Sequence, residues 1–174
     1  RGLKRSLMQI FVLAAGLGAY ARIGILPFGT GGDYIRTLGI PRDLERAIAC
    51  IAEGKLRRVD ASRVTLRDDA GRDRTGYGLN ITSIGISALV VTLAERSPRF
   101  VGGSGAFLVG ALRAIWRHQS HPVTLKVDGE VVHDGPLILA TAANGRYFGG
   151  GMLVAPQAYC DDGRLDVVAV AGEA

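Results

Sequence analysis

Residues 123–132 constrain the fold more than any other stretch. Val123, Leu125 and Val127 alternate with polar positions, Asp128-Gly129 interrupts them, and Val131-Val132 continue on the far side. Alternation with a period of two sets one face of an extended strand against a core. Asp-Gly supplies the positive φ values that a two-residue hairpin turn needs. Leu137–Ala143 and Leu165–Val170 are further apolar runs of strand length, the first solid enough for a central strand. The last third of the chain therefore reads as antiparallel β-structure. Glycine agrees, at 25 of 174 residues, about twice the roughly 7% of ordinary proteins, as a chain with many tight turns requires.

Residues 23–66 read instead as strand, helix, strand. Ile23–Pro27 predicts a short buried strand, followed by the glycine turn Phe28-Gly-Thr-Gly-Gly-Asp33. Pro41 opens a predicted helix with Leu44, Ala47, Ile48 and Ile51 on one face, and Gly54 stops it. Val59–Leu66 is the next predicted strand. Asp68–Gly76 is charged and turn-rich, with Ala70 its one apolar side chain, and predicts a boundary between lobes. Tyr77, Leu79 and Ile81 alternate as in a half-buried strand. Helices are predicted over Ile86–Glu95 and Ser104–Gln119, the second with Phe107, Leu108, Ala111, Leu112 and Ile115 inward.

The start of the chain carries several weak signals. Leu7–Ala21 is an apolar run of 15 residues behind Lys4 and Arg5, too short for a bilayer, which takes about 20. Ala19-Tyr20-Ala21 resembles a leader cleavage site, and Gly16-Leu-Gly18-Ala-Tyr-Ala21 resembles a dinucleotide turn. Against the second, Pro27 cuts short the helix, and Arg36 stands where an acidic ribose partner is expected. A buried helix or strand with close-packed glycines is the preferred reading. Arg1 in place of Met predicts a processed or truncated chain. Cys50 and Cys160 form no metal-type pair and suit a reducing cytosol.

The net charge is +5, with 18 Arg against 3 Lys. Arginine suits a phosphorylated ligand, an acidic membrane surface or nucleic acid, although a compositional bias of the source explains the count equally well. Aromatic residues make up 6% and do not interleave with the arginines, which argues against nucleic acid bound by stacking.

Two segments carry chemistry. A glycine turn entering a helix aims N–H groups at one point, where an anion is stabilised. Gly29-Thr30-Gly31-Gly32-Asp33 has that form, with a Thr hydroxyl for a phosphate oxygen, but no Gly-Lys-Ser/Thr follows to make a Walker loop. Asp33 either caps the following helix or holds a cation beside phosphates. Asp161-Asp162-Gly163-Arg164-Leu165-Asp166 offers carboxylates around a glycine turn to a hard cation, or is an ordinary Asp-Gly turn. His118 and His121 read as surface residues at a helix end.

Taken together, these segments resemble a known family. Gly24-Ile-Leu-Pro-Phe-Gly-Thr-Gly-Gly-Asp33 and Leu38-Gly-Ile-Pro41 resemble the second nucleotide loop of diacylglycerol-kinase-type lipid kinases, a group that includes the bacterial lipid kinases and the sphingosine and ceramide kinases. Val59-Asp60, Asn80-Ile-Thr-Ser83-Ile-Gly85, Asn144-Gly-Arg-Tyr-Phe-Gly-Gly-Gly-Met152, Ala155-Pro156 and Asp162-Gly-Arg-Leu-Asp166 follow in the family's order.

The resemblance implies a partial α/β nucleotide-binding lobe, residues 1–67, followed by an antiparallel β-sandwich lobe, residues 68–174. It implies ATP-dependent phosphorylation of a lipid hydroxyl such as that of diacylglycerol, with Mg2+, by a cytoplasmic protein associated peripherally with a membrane. Gly29, Thr30 and Gly31 would bind nucleotide. Asp162, with the backbone carbonyls of Tyr159 and Arg164, would hold a structural magnesium, and Asp33 would join the network between cation and nucleotide. Gly32 departs from the pattern by replacing an Asn. The family's first phosphate loop is expected before residue 23 and is not found in residues 1–22. Its general-base Glu is expected beyond Ala174, so no catalytic residue is assigned within the chain. An inactive piece of a lipid kinase is the leading expectation, and a non-catalytic lipid- or metal-binding remnant is the alternative. A nucleic acid partner is not expected.

Overall fold

The computed structural model describes residues 22–28, 32–87 and 120–172. Among them, two short helices precede three antiparallel sheets, in the order α1 (Asp33–Leu38), α2 (Leu44–Ala52), β1 (Ser62–Arg67), β2 (Asp73–Gly78), β3 (Ile81–Gly85), β4 (His121–Val127), β5 (Glu130–Ala143), β6 (Tyr147–Phe148), β7 (Met152–Leu153) and β8 (Asp166–Ala171).

The helix ends follow local chemistry. α1 stops at Gly39 in the left-handed region (φ +70), which lets the Ile40 N–H reach the Ile35 carbonyl at 2.9 Å. α2 is capped by Asp43, whose carboxylate accepts the Arg46 N–H at 3.0 Å, and the chain turns at Gly54 with φ +66. The helix therefore starts from the Asp43 cap rather than at Pro41. Its apolar stripe is only lightly covered: Ala47 is fully buried, but Leu44 is 37%, Ile48 50% and Ile51 46% exposed.

β5 organises the main sheet. Its first half forms the predicted hairpin with β4, around a turn with Asp128 at φ 51 and Gly129 at φ 90. Positive φ at both central residues matches the right-handed twist of the strands. In its second half, Leu139–Ala143 carry a partner on both edges, β3 and β8. Small residues fill the core here. Ala143, Ala155 and Ala158 are buried, with Ile81 and Val168 packed against them.

The structure revises three expected strands, those over Ile23–Pro27, Val59–Leu66 and Tyr77–Ile81. Ile23–Pro27 takes no regular structure, and Ile23 and Leu26 are exposed; no strand pairs with it among the described residues, and an unpaired strand has nowhere to place its backbone hydrogen bonds. The strand expected over Val59–Leu66 starts at Ser62, because the Asp60 N–H is taken by the Cys160 carbonyl at 2.7 Å. The charged stretch from Asp68 is the tip of the β1–β2 hairpin, where Asp68 accepts the N–H groups of Ala70 and Arg72 and the side chains of Arg72 and Arg74. These donors hold the Asp68 carboxyl below its usual range, the Arg72 N–H most of all. The run Tyr77–Ile81 is split between β2 and β3 by a bend at Leu79-Asn80. The helices expected over Ile86–Glu95 and Ser104–Gln119 lie almost wholly outside the described residues.

Candidate functional site

α1 meets the glycine turn between β6 and β7. Gly149, Gly150 and Gly151 have φ values of 67, 89 and 111, a run of left-handed backbone that side chains resist. The turn is fastened to α1 at two points. Asp33 Oδ2 accepts the Gly150 N–H at 2.9 Å, and Arg36 Nη1 donates to the Gly151 carbonyl at 3.2 Å with its guanidinium 5.1 Å from the centre of the Tyr147 ring. Asp33 does not cap its helix: Gly32 is the N-cap, with no side-chain cap bond. Its other oxygen, Oδ1, is shielded from solvent without a hydrogen-bond partner among the described residues. A buried orphan acceptor of this kind suits a ligand or an ordered water.

Gly32, which departs from the family's Asn, stands against the tip of the Arg42 side chain. A Cβ at this position would lie 2.8 Å from Arg42 Nη2. The guanidinium thus covers the place where the family's amide would begin.

Two asparagines join the site to the sheet. Asn144, 1% exposed, donates from Nδ2 to the carbonyls of Asp60 (2.8 Å) and Leu79 (2.9 Å). The Asn80 carbonyl accepts the N–H groups of Asn144 (2.8 Å) and Gly145 (3.0 Å), and Asn80 Nδ2 donates to the Tyr147 carbonyl at 3.0 Å. Gly145 is required here, because a Cβ would collide with Asn80 Oδ1. Thr37 of α1 then accepts the Arg146 N–H at 3.1 Å.

The acidic turn lies on the far side of this junction. Asp60 Oδ2 accepts the Gly163 N–H at 2.7 Å, and Asp162 Oδ1 accepts the Arg164 N–H at 3.0 Å. Asp161 turns away to pair with Arg57 at 3.0 Å. Arg146, Tyr159, Asp162, Arg164 and Asp166 line an open depression of 670 Å³. The three residues expected to hold magnesium thus share one surface. The second oxygen of Asp162 and the carbonyls of Tyr159 and Arg164 accept no hydrogen bond among the described residues. No group of three or more His, Cys, Asp or Glu gathers among the described residues, so a cation here would be held by one carboxylate, carbonyls and water. An all-oxygen set fits magnesium.

Gly29, Thr30 and Gly31 lie outside the described residues; Asp33, at the start of α1, and the acidic turn are both bonded to the Asn80–Asn144 junction's neighbours. Arg36, Thr37 and Arg146 were not singled out by sequence. Side-chain bonds spanning more than 100 residues leave no mark on local spacing. Cys160 is buried beside Tyr34, whose hydroxyl has no partner among the described residues. Burial pushes the Tyr34 phenol up to about 12 and raises the Cys160 thiol as well.

Known proteins resemble this chain along most of its length. The family described as "YegS C-terminal NAD kinase beta sandwich-like domain" matches residues 80–174, and "Diacylglycerol kinase catalytic domain" matches residues 6–64. The chain is 36% identical over 151 residues to a "Probable lipid kinase YegS-like" protein of Chromohalobacter salexigens, covering 85% of this chain and 44% of that protein. It is 34% identical over 148 residues to a diacylglycerol kinase of Mycobacterium tuberculosis, covering 83% and 46%. A crystal structure of a diacylglycerol kinase from Bacillus anthracis superposes with a TM-score of 0.60 at 26% identity, covering 90% of this chain and 47% of that one. The chain spans about half the length of the relatives it matches. With more than half of its residues matched by the sandwich-like domain and most of the remainder by the kinase domain, the chain belongs to the diacylglycerol kinase-type lipid kinase family.

Proposed function

We propose that this chain is part of an ATP-dependent lipid kinase that transfers a γ-phosphoryl group to a lipid hydroxyl such as that of diacylglycerol. The observation that carries the reading is the Asp33–Gly150 bond with its orphan Oδ1. It ties the start of α1, directly after the Gly29-Thr30-Gly31 turn, to the glycine turn of the β-lobe. A shielded carboxylate oxygen with no donor among the described residues supports a place in a cation–water–nucleotide network.

In the proposed reaction the lipid oxygen forms a bond to the γ-phosphorus, the bond to the β–γ bridging oxygen breaks, and ADP departs. The hydroxyl proton passes to a base outside the assigned residues of this chain. Such transfers depend on positioning and on stabilising charge on the transferred group. The N–H groups of Gly29 and Gly31 and the Thr30 hydroxyl would donate to phosphate oxygens. Asp162, with the carbonyls of Tyr159 and Arg164, would hold magnesium, and Asp33 would accept hydrogen bonds from water in the same network. Magnesium, when bound there, supplies positive charge that orders the acidic turn. Residues 1–67 serve as the partial nucleotide lobe and residues 68–174 as the β-lobe, divided at the hairpin tip.

Among the described residues no helix is long and apolar enough to cross a membrane. A peripheral, cytoplasmic encounter with a membrane that carries the lipid is part of the proposal. The 174 residues alone are expected to transfer little phosphate. The test is transfer from labelled ATP to diacylglycerol vesicles by the full-length protein and by this chain. No transfer by the full-length protein to any lipid alcohol would overturn the reading, and brisk turnover by the 174-residue chain would overturn its inactivity. For the cation, Asp162→Asn should abolish the rise in melting temperature that magnesium produces.

A further inference from the structure

Arg146 is bonded to more separate parts of the molecule than any neighbour in its glycine-rich segment. Its N–H donates to Thr37 Oγ1 of α1 at 3.1 Å, and its carbonyl accepts the N–H groups of Val154 (3.0 Å) and Ala155 (3.2 Å). Its Nε donates to the Ala158 carbonyl at 3.0 Å, and its guanidinium carbon lies 5.1 Å from the centre of the Tyr159 ring. No carboxylate pairs with this guanidinium among the described residues. The side chain is held by a carbonyl and an aromatic face, as its planar fork allows.

The consequence falls on the Tyr159 carbonyl. The peptide before Tyr159 is pinned at the Ala158 oxygen by Arg146, and the Tyr159 ring is pinned by the same guanidinium. The next carbonyl, that of Cys160, is pinned by the Asp60 N–H at 2.7 Å. The Tyr159 carbonyl, between these anchors and accepting no hydrogen bond among the described residues, has its direction set by them. Arg146 and Tyr159 also line the depression that holds Asp162 and Arg164.

We propose that Arg146 is a positioning residue for the cation turn: it aims the Tyr159 carbonyl and, through Thr37, seats that turn against α1. This rests on the assignment of Asp162, Tyr159 and Arg164 as cation ligands. Groups that orient metal ligands without touching the metal typically govern affinity by about 10–100-fold. The Tyr159 carbonyl turns with the flanking backbone torsions, and Arg146 anchors the peptide on one side of it.

The experiment is Mn2+ binding to the full-length protein, followed by electron paramagnetic resonance and by Mn2+-induced thermal shift. Arg146→Met, which keeps the stem and removes the donors, should weaken binding about tenfold. Tyr159→Leu leaves a backbone carbonyl in place but removes the stacked ring, so it should weaken binding similarly, and Tyr159→Phe should rescue it. Tyr159 is 56% exposed, so these two variants remain informative if Arg146→Met does not fold. Asp162→Asn should abolish the bound Mn2+ signal. If Asp162→Asn abolishes binding while Arg146→Met and Tyr159→Leu bind as tightly as the parent, the positioning role is overturned and the cation site stands. If the parent and Asp162→Asn behave alike, the cation assignment fails and this inference falls with it.

Discussion

α2 and the end of β5 are both patterned for burial, yet they reach different states. On α2, Leu44, Ile48 and Ile51 remain 37%, 50% and 46% exposed, and only Ala47 is covered. At the end of β5, Ala143 and Asn144 are 0% and 1% exposed, and the strand carries partners on both edges. Pairing on both edges satisfies the backbone of this stretch, and Ala155, Ala158, Ile81 and Val168 pack with Ala143. A helix satisfies its own backbone and can form with its apolar face still waiting for a partner. Among the described residues, the end of β5 is packed on its partners, whereas the apolar stripe of α2 is largely exposed.

Asn144→Ala tests that comparison most severely. It removes the donors to the Asp60 and Leu79 carbonyls. Leaving buried carbonyls unpaired costs about 3 kcal/mol, read by denaturant unfolding. A loss below about 1 kcal/mol would mean that water replaces the amide and that the junction is looser than described.

Tyr34 sharpens the boundary between the two regions, since it sits on α1 beside Cys160 of the β-lobe. Burial raises its phenol to about 12, against an ordinary value near 10. The unfolded chain therefore loses this proton first as pH rises. The stabilisation is intact below about pH 10 and drains away as pH climbs towards about 12. Melting curves against pH should fall across that window, and Tyr34→Phe should flatten the fall. At neutral pH the same variant should be neutral or slightly stabilising, because the hydroxyl it removes has no partner among the described residues. An unchanged alkaline slope in Tyr34→Phe would show that the phenol is wetter than its position implies.

Ile48→Ala should change stability by less than about 1 kcal/mol, since half-exposure limits the lost transfer energy and alanine favours the helix. A loss above about 2 kcal/mol would show that the α2 face is covered in solution and would remove the contrast with β5. The smallest effect concerns the cysteines. Cys50 is exposed and Cys160 is buried, with its thiol pushed up by burial. Iodoacetamide, followed by mass spectrometry, should modify Cys50 first. Equal labelling would show that the region around Cys160 opens readily.

Local pattern alone determined the β4–β5 hairpin, the central strand ending at Ala143, the amphipathic α2 and the order of the glycine and acidic segments. Alternation and Asp-Gly at a turn act over a few residues, so a linear reading captures them, whereas it opened α2 at Pro41 and did not find the Asp43 cap. It missed the start of β1, because the Asp60 N–H is claimed by Cys160, 100 residues away. It placed Asp33 at a nucleotide site but left its bond to Gly150 unseen, and it passed over Arg36, Thr37 and Arg146. Each of those side chains works across more than 10 residues of intervening fold, where the partner is a backbone carbonyl, an N–H or a ring face that any sequence could present. Only the tertiary structure decides such pairings, because they depend on which backbone groups remain unpaired once the sheets have formed, and every residue type carries the same backbone.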